Sequence, residues 1–271
     1  MLSLEAAREN ALTLDWKTYT PPKPAFTGTR SDRVSLETLV DYIDWMPYFW
    51  TWDLHGPYPE MLEGDSELSE RAREVLHDAK QLLARIVEEK MLTPRGVYGF
   101  YRAERQGDDI QVFDEQDQPI ETFHFLRQQM QKKDQTPNRS LADFCASTES
   151  GIEDYIGAFA VTAGAEVHAL ASAYRADHDD YSCILIQALG DRLAEAYAEY
   201  LHQQARIAWG FGAEEQLSVA EMIQEKYSGI RPAAGYPACP DHTEKKALFS
   251  LLDVPTHTGI TLTESMAMTP S

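Results

Sequence analysis

The spacing of apolar residues along the chain predicts helices on both sides of a central group of strands. The strongest helical signal covers residues 67–92, where apolar positions recur every three or four residues. Asp65 or Ser66 is the expected N-cap of this helix, because either side chain can accept a hydrogen bond from the first turn. Weaker helical patterns cover residues 37–45, 165–174, 181–209, 219–227 and 245–252.

The pattern between these helices changes to short segments rich in β-branched and aromatic residues. Such segments at 96–103, 109–113 and 120–126 are separated by short polar turns, which predicts three consecutive antiparallel strands. A buried strand is expected at 155–161 and a last strand near 261–268.

Strands grouped in the middle of the chain, with helices before and after them, indicate the α+β class. We therefore expect a single domain with a central twisted antiparallel sheet flanked by long helices. Residues 1–35 are predicted to form an extended, irregular arm, because Pro21, Pro22 and Pro24 oppose regular structure. The folded domain is then assigned to residues 36–271.

Composition narrows the classes of function. With 43% hydrophobic residues, the 271-residue chain can bury a substantial core. The net charge of −20 argues against a nucleic-acid partner, which would require clustered lysine and arginine. Three scattered cysteines suit a reducing cytoplasm, and neither a signal-peptide pattern nor an apolar run of membrane-spanning length occurs. A cytoplasmic protein without a membrane partner is expected.

The segment at 229–240, Gly-Ile-Arg-Pro-Ala-Ala-Gly-Tyr-Pro-Ala-Cys-Pro, is the most informative part of the sequence. Its three prolines remove backbone donors and fix φ angles, so the segment should be a stiff, irregular loop. Such a loop either serves as a rigid connector or presents the Arg231 guanidinium and backbone groups to a small ligand.

The same loop carries a family resemblance. Residues 231–245 resemble the signature of the activation domain of cobalamin-dependent methionine synthase. Further similar segments follow the family's order, and the likeness extends from about residue 4 to about residue 268. These segments are Tyr-Ile-Asp-Trp at 42–45, Asp-Tyr-Ile-Gly-Ala-Phe-Ala-Val-Thr at 154–162, Asp-Arg-Leu-Ala-Glu-Ala at 191–196 and Leu-Thr-Glu-Ser at 262–265.

The resemblance implies a function for the chain. In the family, this domain binds S-adenosylmethionine (AdoMet) and remethylates cobalamin that has been oxidised to cob(II)alamin, while flavodoxin or a related reductase supplies the electron. A separate domain holds the cobalamin. The chain is accordingly expected to work as a module of a methyltransferase and not to make methionine alone.

AdoMet requires a cation for its carboxylate, and the forked donor of Arg231 matches that need. The resemblance implies that Asp44 binds the ligand's amino group and that the backbone from Ala233 to Gly235 binds the adenine. Taken alone, Asp44 would more simply be a helix cap or a surface charge. Tyr236 either stacks on the ligand or packs the loop, and we favour the ligand side.

Two glutamates complete the candidate site. Glu195 lies off the apolar stripe of its predicted helix, with Asp191 and Glu199 at the same i, i+4 spacing, and such a row is commonly a solvated face. In the family, however, the residues matching Glu195 and Glu225 line the groove near the AdoMet and cobalamin contact. Both explanations stay open.

Other chemistry is disfavoured. The sequence has no dinucleotide fingerprint, P-loop or nucleophile elbow. Cys239 and His242 form a lone C-x-x-H pair, which is too few ligands for zinc, so no metal site is predicted. An independent enzyme acting on AdoMet or another nucleoside lacks a nucleophile–base arrangement.

One feature of the sequence supports an alternative function. The family normally continues with a Gly-Trp-Tyr-Phe-like motif whose aromatic residues help hold AdoMet, and this sequence ends at Ser271 before it. Either the sequence is a fragment of a longer protein or the site is incomplete, and an incomplete site should lose about 1–3 kcal/mol of affinity. The alternative is a non-catalytic docking module for a cobalamin domain and flavodoxin, with impaired AdoMet binding.

Flavodoxins are usually acidic, so docking onto this acidic chain requires a local basic patch. The candidates are Lys132, Lys133 and Arg139, or Lys245 and Lys246.

Overall fold

A computed structural model describes residues 1–132, 136–211 and 215–270 of the chain. The helices are α1 (Leu4–Glu9), α2 (Leu36–Val40), α3 (Met46–Thr51), α4 (Glu67–Glu88), α5 (Glu166–Ala176), α6 (Asp180–Trp209), α7 (Val219–Ile223), α8 (Lys245–Leu252) and α9 (Val254–Thr258). The strands are β1 (Gly28–Asp32), β2 (Arg95–Gln106), β3 (Asp109–Phe113), β4 (Pro119–His124), β5 (Asp154–Thr162), β6 (Thr261–Leu262) and β7 (Met268–Thr269). Short 3-10 helices cover Glu60–Leu62, Leu141–Phe144, Thr148–Ser150 and His242–Glu244.

The twelve-residue strand β2 organises the main sheet. β5 pairs antiparallel with β2 along nine residues. β1 pairs with the first half of β2 and β3 with its second half, and β4 continues the sheet beyond β3. All these pairings are antiparallel, and helices pack against the sheet, so the predicted α+β class is confirmed.

One layer of the fold is a helical core on the side of the sheet that carries Tyr98, Phe159 and Val161. The long helices α4 and α6 contribute most of it, since their apolar stripes point inward. Ser66 caps α4 by accepting a hydrogen bond from the Ser69 amide, which decides between the two predicted caps. Asp179 caps α6 in the same way, by accepting a hydrogen bond from the Ser182 amide.

A second core lies on the other side of the sheet. Val97 and Tyr101 of β2 pack there with Phe249 and Leu252 of α8. Cys239, from the proline-rich segment, is also buried in this cluster. The loop at 229–240 therefore bridges the end of the helical layer and the second core.

The arm at residues 1–35 is not irregular throughout, contrary to the prediction. It contains α1 and β1, and β1 becomes a strand by pairing with β2 although its sequence, Gly-Thr-Arg-Ser-Asp, is polar. Arg8 of α1 also pairs with Asp108 at 2.8 Å. The division of the chain at residue 35 stays a prediction.

Three other elements differ from their predicted bounds. The pattern at 37–45 corresponds to α2 alone, and α3 begins at Met46 because Pro47 suits a first helical turn. α7 ends at Ile223, and Glu225 follows it with a positive φ of 55°. The last strand is the two-stranded hairpin β6–β7 instead of one segment.

Candidate functional site

Arg231 lies against the C-terminal half of α6, and two atoms of that helix hold its guanidinium. Nη2 donates to Oε1 of Glu199 at 2.5 Å, and Nη1 donates to the carbonyl oxygen of Ala198 at 3.3 Å. A guanidinium has five N–H donors, so three have no partner among the described residues. The Arg231 side chain is 20% exposed and can therefore still meet a ligand.

Glu199 is buried in an acidic region. Its side chain is 8% exposed, and its Oε2 atom has no hydrogen-bond partner among the described residues. Burial raises the pKa of Glu199, the charge of Arg231 opposes that shift, and the charges of Glu195 and Glu225 add to it. Glu195 lies one turn before Glu199 on α6, the charge of Glu225 reaches Glu199, and both of these glutamates are exposed. The Arg231–Glu199 pair therefore has acidic surroundings.

A layer of aromatic and charged side chains supports this region. His202, one turn along α6 from Glu199, meets the Tyr227 ring edge-to-face with centroids 4.7 Å apart. Burial, and then the charges of Arg231 and Arg206, lower the pKa of His202 to about 3, so its imidazole is neutral at pH 7. Arg206 pairs with Glu215 and lies 4.9 Å from the Tyr227 ring centroid.

The proline-rich loop folds back on itself beyond Arg231. Gly235 donates its amide to the Cys239 carbonyl at 2.8 Å, and Tyr236 donates to the Ala233 carbonyl at 3.2 Å. The Gly235 amide is therefore satisfied within the loop. The amides of Ala233 and Ala234, by contrast, have no hydrogen-bond partner among the described residues. The Tyr236 side chain is 63% exposed.

Asp44 makes a local contact of the kind expected for a cap. Its Oδ1 accepts a hydrogen bond from the Met46 amide at 3.0 Å, at the start of α3. The neighbouring Tyr42 connects this segment to α6, since its hydroxyl donates to Gln203 at 2.6 Å. Gln203 lies one turn beyond Glu199, about 6 Å along the helix axis. Asp44 is half-buried beside this anchor.

Among the predicted site residues, Arg231 binds Glu199 directly, Glu195 lies one turn before Glu199 on α6, and the charge of Glu225 affects the pKa of Glu199. Asp44 is on a segment attached to the same helix, and Ala233, Gly235 and Tyr236 belong to the loop that Arg231 begins. The roles of these seven residues in binding stay predictions. Glu199 and His202 were not among the sequence candidates, although Glu199 belonged to the i, i+4 acidic row.

Two cavities among the described residues do not include Arg231 in their lining. One, of about 900 Å³, is lined by Trp16, Tyr19, Lys23 and Tyr155 among others. Its neighbour, of about 730 Å³, shares Lys23 and Tyr155 and includes Arg102. Both are formed by the arm and the sheet, so they offer a competing location for a small ligand.

The predicted basic patches are only partly available. Lys132 donates to the Pro137 carbonyl at 2.6 Å, and Lys245 donates to the Met266 carbonyl at 2.8 Å. Arg139 is exposed, and Lys133 lies outside the described residues. Within residues 1–132, 136–211 and 215–270, no group of His, Cys, Asp and Glu is placed to hold a metal ion. Over the same residues, no helix is both long and apolar enough to cross a bilayer.

Comparison with known proteins defines the class to which this fold and site belong. The family described as "Vitamin B12 dependent methionine synthase, activation domain" matches residues 35–271. The chain belongs to this family, whose members are modules of a methyltransferase.

A solved structure gives a particular relative. The chain is similar to the MetH reactivation domain in a crystal structure bound to AdoHcy. The two sequences are 51% identical, and the match covers 99% of this chain and 83% of that chain with a TM-score of 0.93. The predicted family and fold are thereby confirmed.

Proposed function

We propose that this chain binds AdoMet beside Arg231 and presents it to a cobalamin held by a separate domain, so that inactive cob(II)alamin is methylated. The observation that carries the proposal is the partly exposed Arg231 guanidinium, paired with Glu199 in acidic surroundings, in a chain 51% identical to a domain with AdoHcy bound. AdoHcy differs from AdoMet by the methyl group and the charge on sulfur.

The donors of Arg231 fit the ligand's carboxylate. Three of its N–H groups have no partner among the described residues, and two are enough for a bidentate pair. Because α6 holds the guanidinium from one side, the ligand carboxylate approaches from the solvent side.

The acidic surroundings fit the rest of the ligand. AdoMet carries a sulfonium and an ammonium group, and cations are favoured near carboxylates. Glu195 and Glu225 are exposed and lie close enough to Glu199 to affect its pKa. We assign them to the cationic part of AdoMet and Asp44 to the ammonium group. These carboxylates would then favour AdoMet over uncharged nucleosides.

The loop fits the adenine. The amides of Ala233 and Ala234, which have no partner in the described part of the chain, can donate to ring nitrogens, whereas the Gly235 amide is engaged with Cys239. We therefore assign the adenine contact to Ala233 and Ala234, with Gly235 shaping the turn. Tyr236, exposed beside them, offers a ring that can cover the ligand.

The reaction needs alignment more than acid–base catalysis. One electron from flavodoxin or a related reductase reduces the cobalamin, the AdoMet methyl group passes to cobalt, and S-adenosylhomocysteine leaves. No proton moves in the transfer, and the neutral His202 is consistent with that. The chain's residues bind and orient the ligand, so the reaction is accelerated by proximity and by electrostatic stabilisation.

A methyl-transfer assay tests this function. The chain is mixed with a cobalamin-binding domain of methionine synthase carrying cob(II)alamin, with methyl-labelled AdoMet and reduced flavodoxin. We expect labelled methylcobalamin in the presence of the chain and much less with Arg231→Ala. Arg102→Ala is the matched control, because Arg102 is similarly exposed (22%) but lines the competing cavity.

Two results would change the assignment. Binding of the cobalamin domain without AdoMet binding or methyl transfer would identify the chain as the docking module. Loss of transfer with Arg102→Ala, but not with Arg231→Ala, would move the AdoMet site to the cavity beside the arm.

A further inference from the structure

The Glu199 side chain holds the Arg231 guanidinium by a hydrogen bond. The 2.5 Å contact from Oε1 to Nη2 and the 3.3 Å contact from the Ala198 carbonyl to Nη1 both come from α6. They fix the plane and position of the guanidinium relative to a rigid helix. Arg231 itself begins an irregular, proline-rich loop, so it has no helix or strand of its own to hold it.

Glu199 in turn depends on Arg231. It is a buried carboxylate with two further carboxylates nearby, and a buried charge needs a partner. Arg206, a second cation of the region, is paired with Glu215. The neighbouring His202 is buried, and its burial together with the charges of Arg231 and Arg206 lowers its pKa to about 3, so it carries no charge at pH 7.

We propose that Glu199 is a positioning residue, which holds the Arg231 guanidinium where the carboxylate of AdoMet meets it. The inference rests on the proposed function and adds a residue to that site. The guanidinium is shared, with one side held by α6 and the other offered to the ligand. Glu199 itself does not touch the ligand.

A positioning role predicts a dependence on hydrogen bonding instead of on charge. Glu199→Gln keeps an oxygen acceptor of the same shape, so Arg231 stays in place and AdoMet affinity should stay within about threefold of wild type. Glu199→Ala removes the acceptor, and the affinity should fall by about tenfold or more. The alanine variant leaves Arg231 with the Ala198 carbonyl as its remaining described partner, and the guanidinium reaches solvent.

Decarboxylated AdoMet separates positioning from general damage to the site. It keeps the sulfonium and amino groups but lacks the carboxylate that Arg231 would bind. The affinity of Glu199→Ala for decarboxylated AdoMet should therefore stay within about threefold of the wild-type value. Glu195→Ala, one turn earlier on the same helix, should weaken both ligands to a similar extent, because both carry the cationic groups.

Calorimetric titration of these variants with both ligands tests the proposal. Equal losses for AdoMet and decarboxylated AdoMet in Glu199→Ala, or no rescue by Glu199→Gln, would overturn it. Failure of the wild-type chain to bind AdoMet would instead refute the proposed function, on which the inference rests.

A measurement on the free protein tests the pairing without any ligand. In ¹⁵N NMR spectra, a held guanidinium gives resolved signals for its Nη groups, and Arg231→Lys identifies those of Arg231. We expect these signals in the wild type and in Glu199→Gln, and their loss in Glu199→Ala. Equal signals in all three proteins would contradict the assignment.

Discussion

Protonation of His202 should destabilise the fold as the pH falls below about 6.5. His202 is 9% exposed, and its Nδ1 atom has no partner among the described residues. Its pKa is lowered to about 3, mainly by burial, whereas a histidine in an unfolded chain has a pKa of about 6.5. Between these values the unfolded chain binds a proton that the folded chain does not. The free energy of unfolding therefore decreases as the pH is lowered through this window.

The magnitude follows from the two pKa values. Each pH unit well inside the window corresponds to about 1.4 kcal/mol, so acidification from pH 7 to pH 5 removes about 2 kcal/mol. The result depends little on the exact pKa in the folded state, because at pH 5 an imidazole with a pKa of about 4 or less is still mostly neutral.

Urea unfolding at pH 7, 6 and 5 measures this effect by comparing the Glu199→Gln protein with the Glu199→Gln/His202→Gln double variant. The Glu199→Gln background is used because the raised pKa of Glu199 contributes a shift of opposite sign. The difference in unfolding free energy between the two proteins should change by about 2 kcal/mol between pH 7 and 5. His168→Gln in the same background, at an exposed position on α5, is the matched control and should follow the Glu199→Gln protein. Parallel profiles with and without His202→Gln would refute the reasoning.

Two further predictions concern stability. Gly235→Ala and Gly229→Ala both place a side chain at positive φ, which costs about 1–2 kcal/mol. Only at Gly235 would the new Cβ also clash, since it would lie 2.6 Å from the His242 ring. Urea midpoints should therefore show the larger loss at Gly235, with part of it recovered by adding His242→Ala; equal losses at both glycines would contradict this. Arg127→Ala should cost about 3–5 kcal/mol, because Arg127 holds a fully buried aspartate at 2.5 Å, whereas the exposed Arg139→Ala should stay within about 0.5 kcal/mol. Calorimetric melting measures the loss of stability in both arginine variants. Similar losses would show that the buried ion pair of Arg127 is not what stabilises the fold.

Elements with strong local patterns were predictable from the sequence. α4 follows from its apolar period and its serine cap, and the strands β2 to β4 follow from their turns. β1 was not predictable, because its polar residues become a strand only through pairing with β2 about 70 positions later. α7 also ends before its predicted bound, and Glu225 follows it with a positive φ of 55°.

The residues of the candidate site also divide into those that the sequence predicted and those that it missed. Arg231 could be proposed from the chemistry of a carboxylate ligand, and Asp44 only from the family resemblance. Glu199 was missed because its helix pattern placed it on a solvated face. A residue 32 positions later covers it, and such long-range contacts leave no periodic signal. His202 is buried by Tyr227 in the same manner.

Calorimetric titration of the 271-residue chain with AdoMet tests the central claim most directly. We predict saturable binding by the wild type and by Arg102→Ala. In Arg231→Ala the affinity should fall by about 10- to 150-fold, the equivalent of about 1.5–3 kcal/mol for hydrogen bonds to a charged group. Unchanged affinity in a folded Arg231→Ala protein would contradict the assigned site, and no binding by the wild type would contradict the function itself.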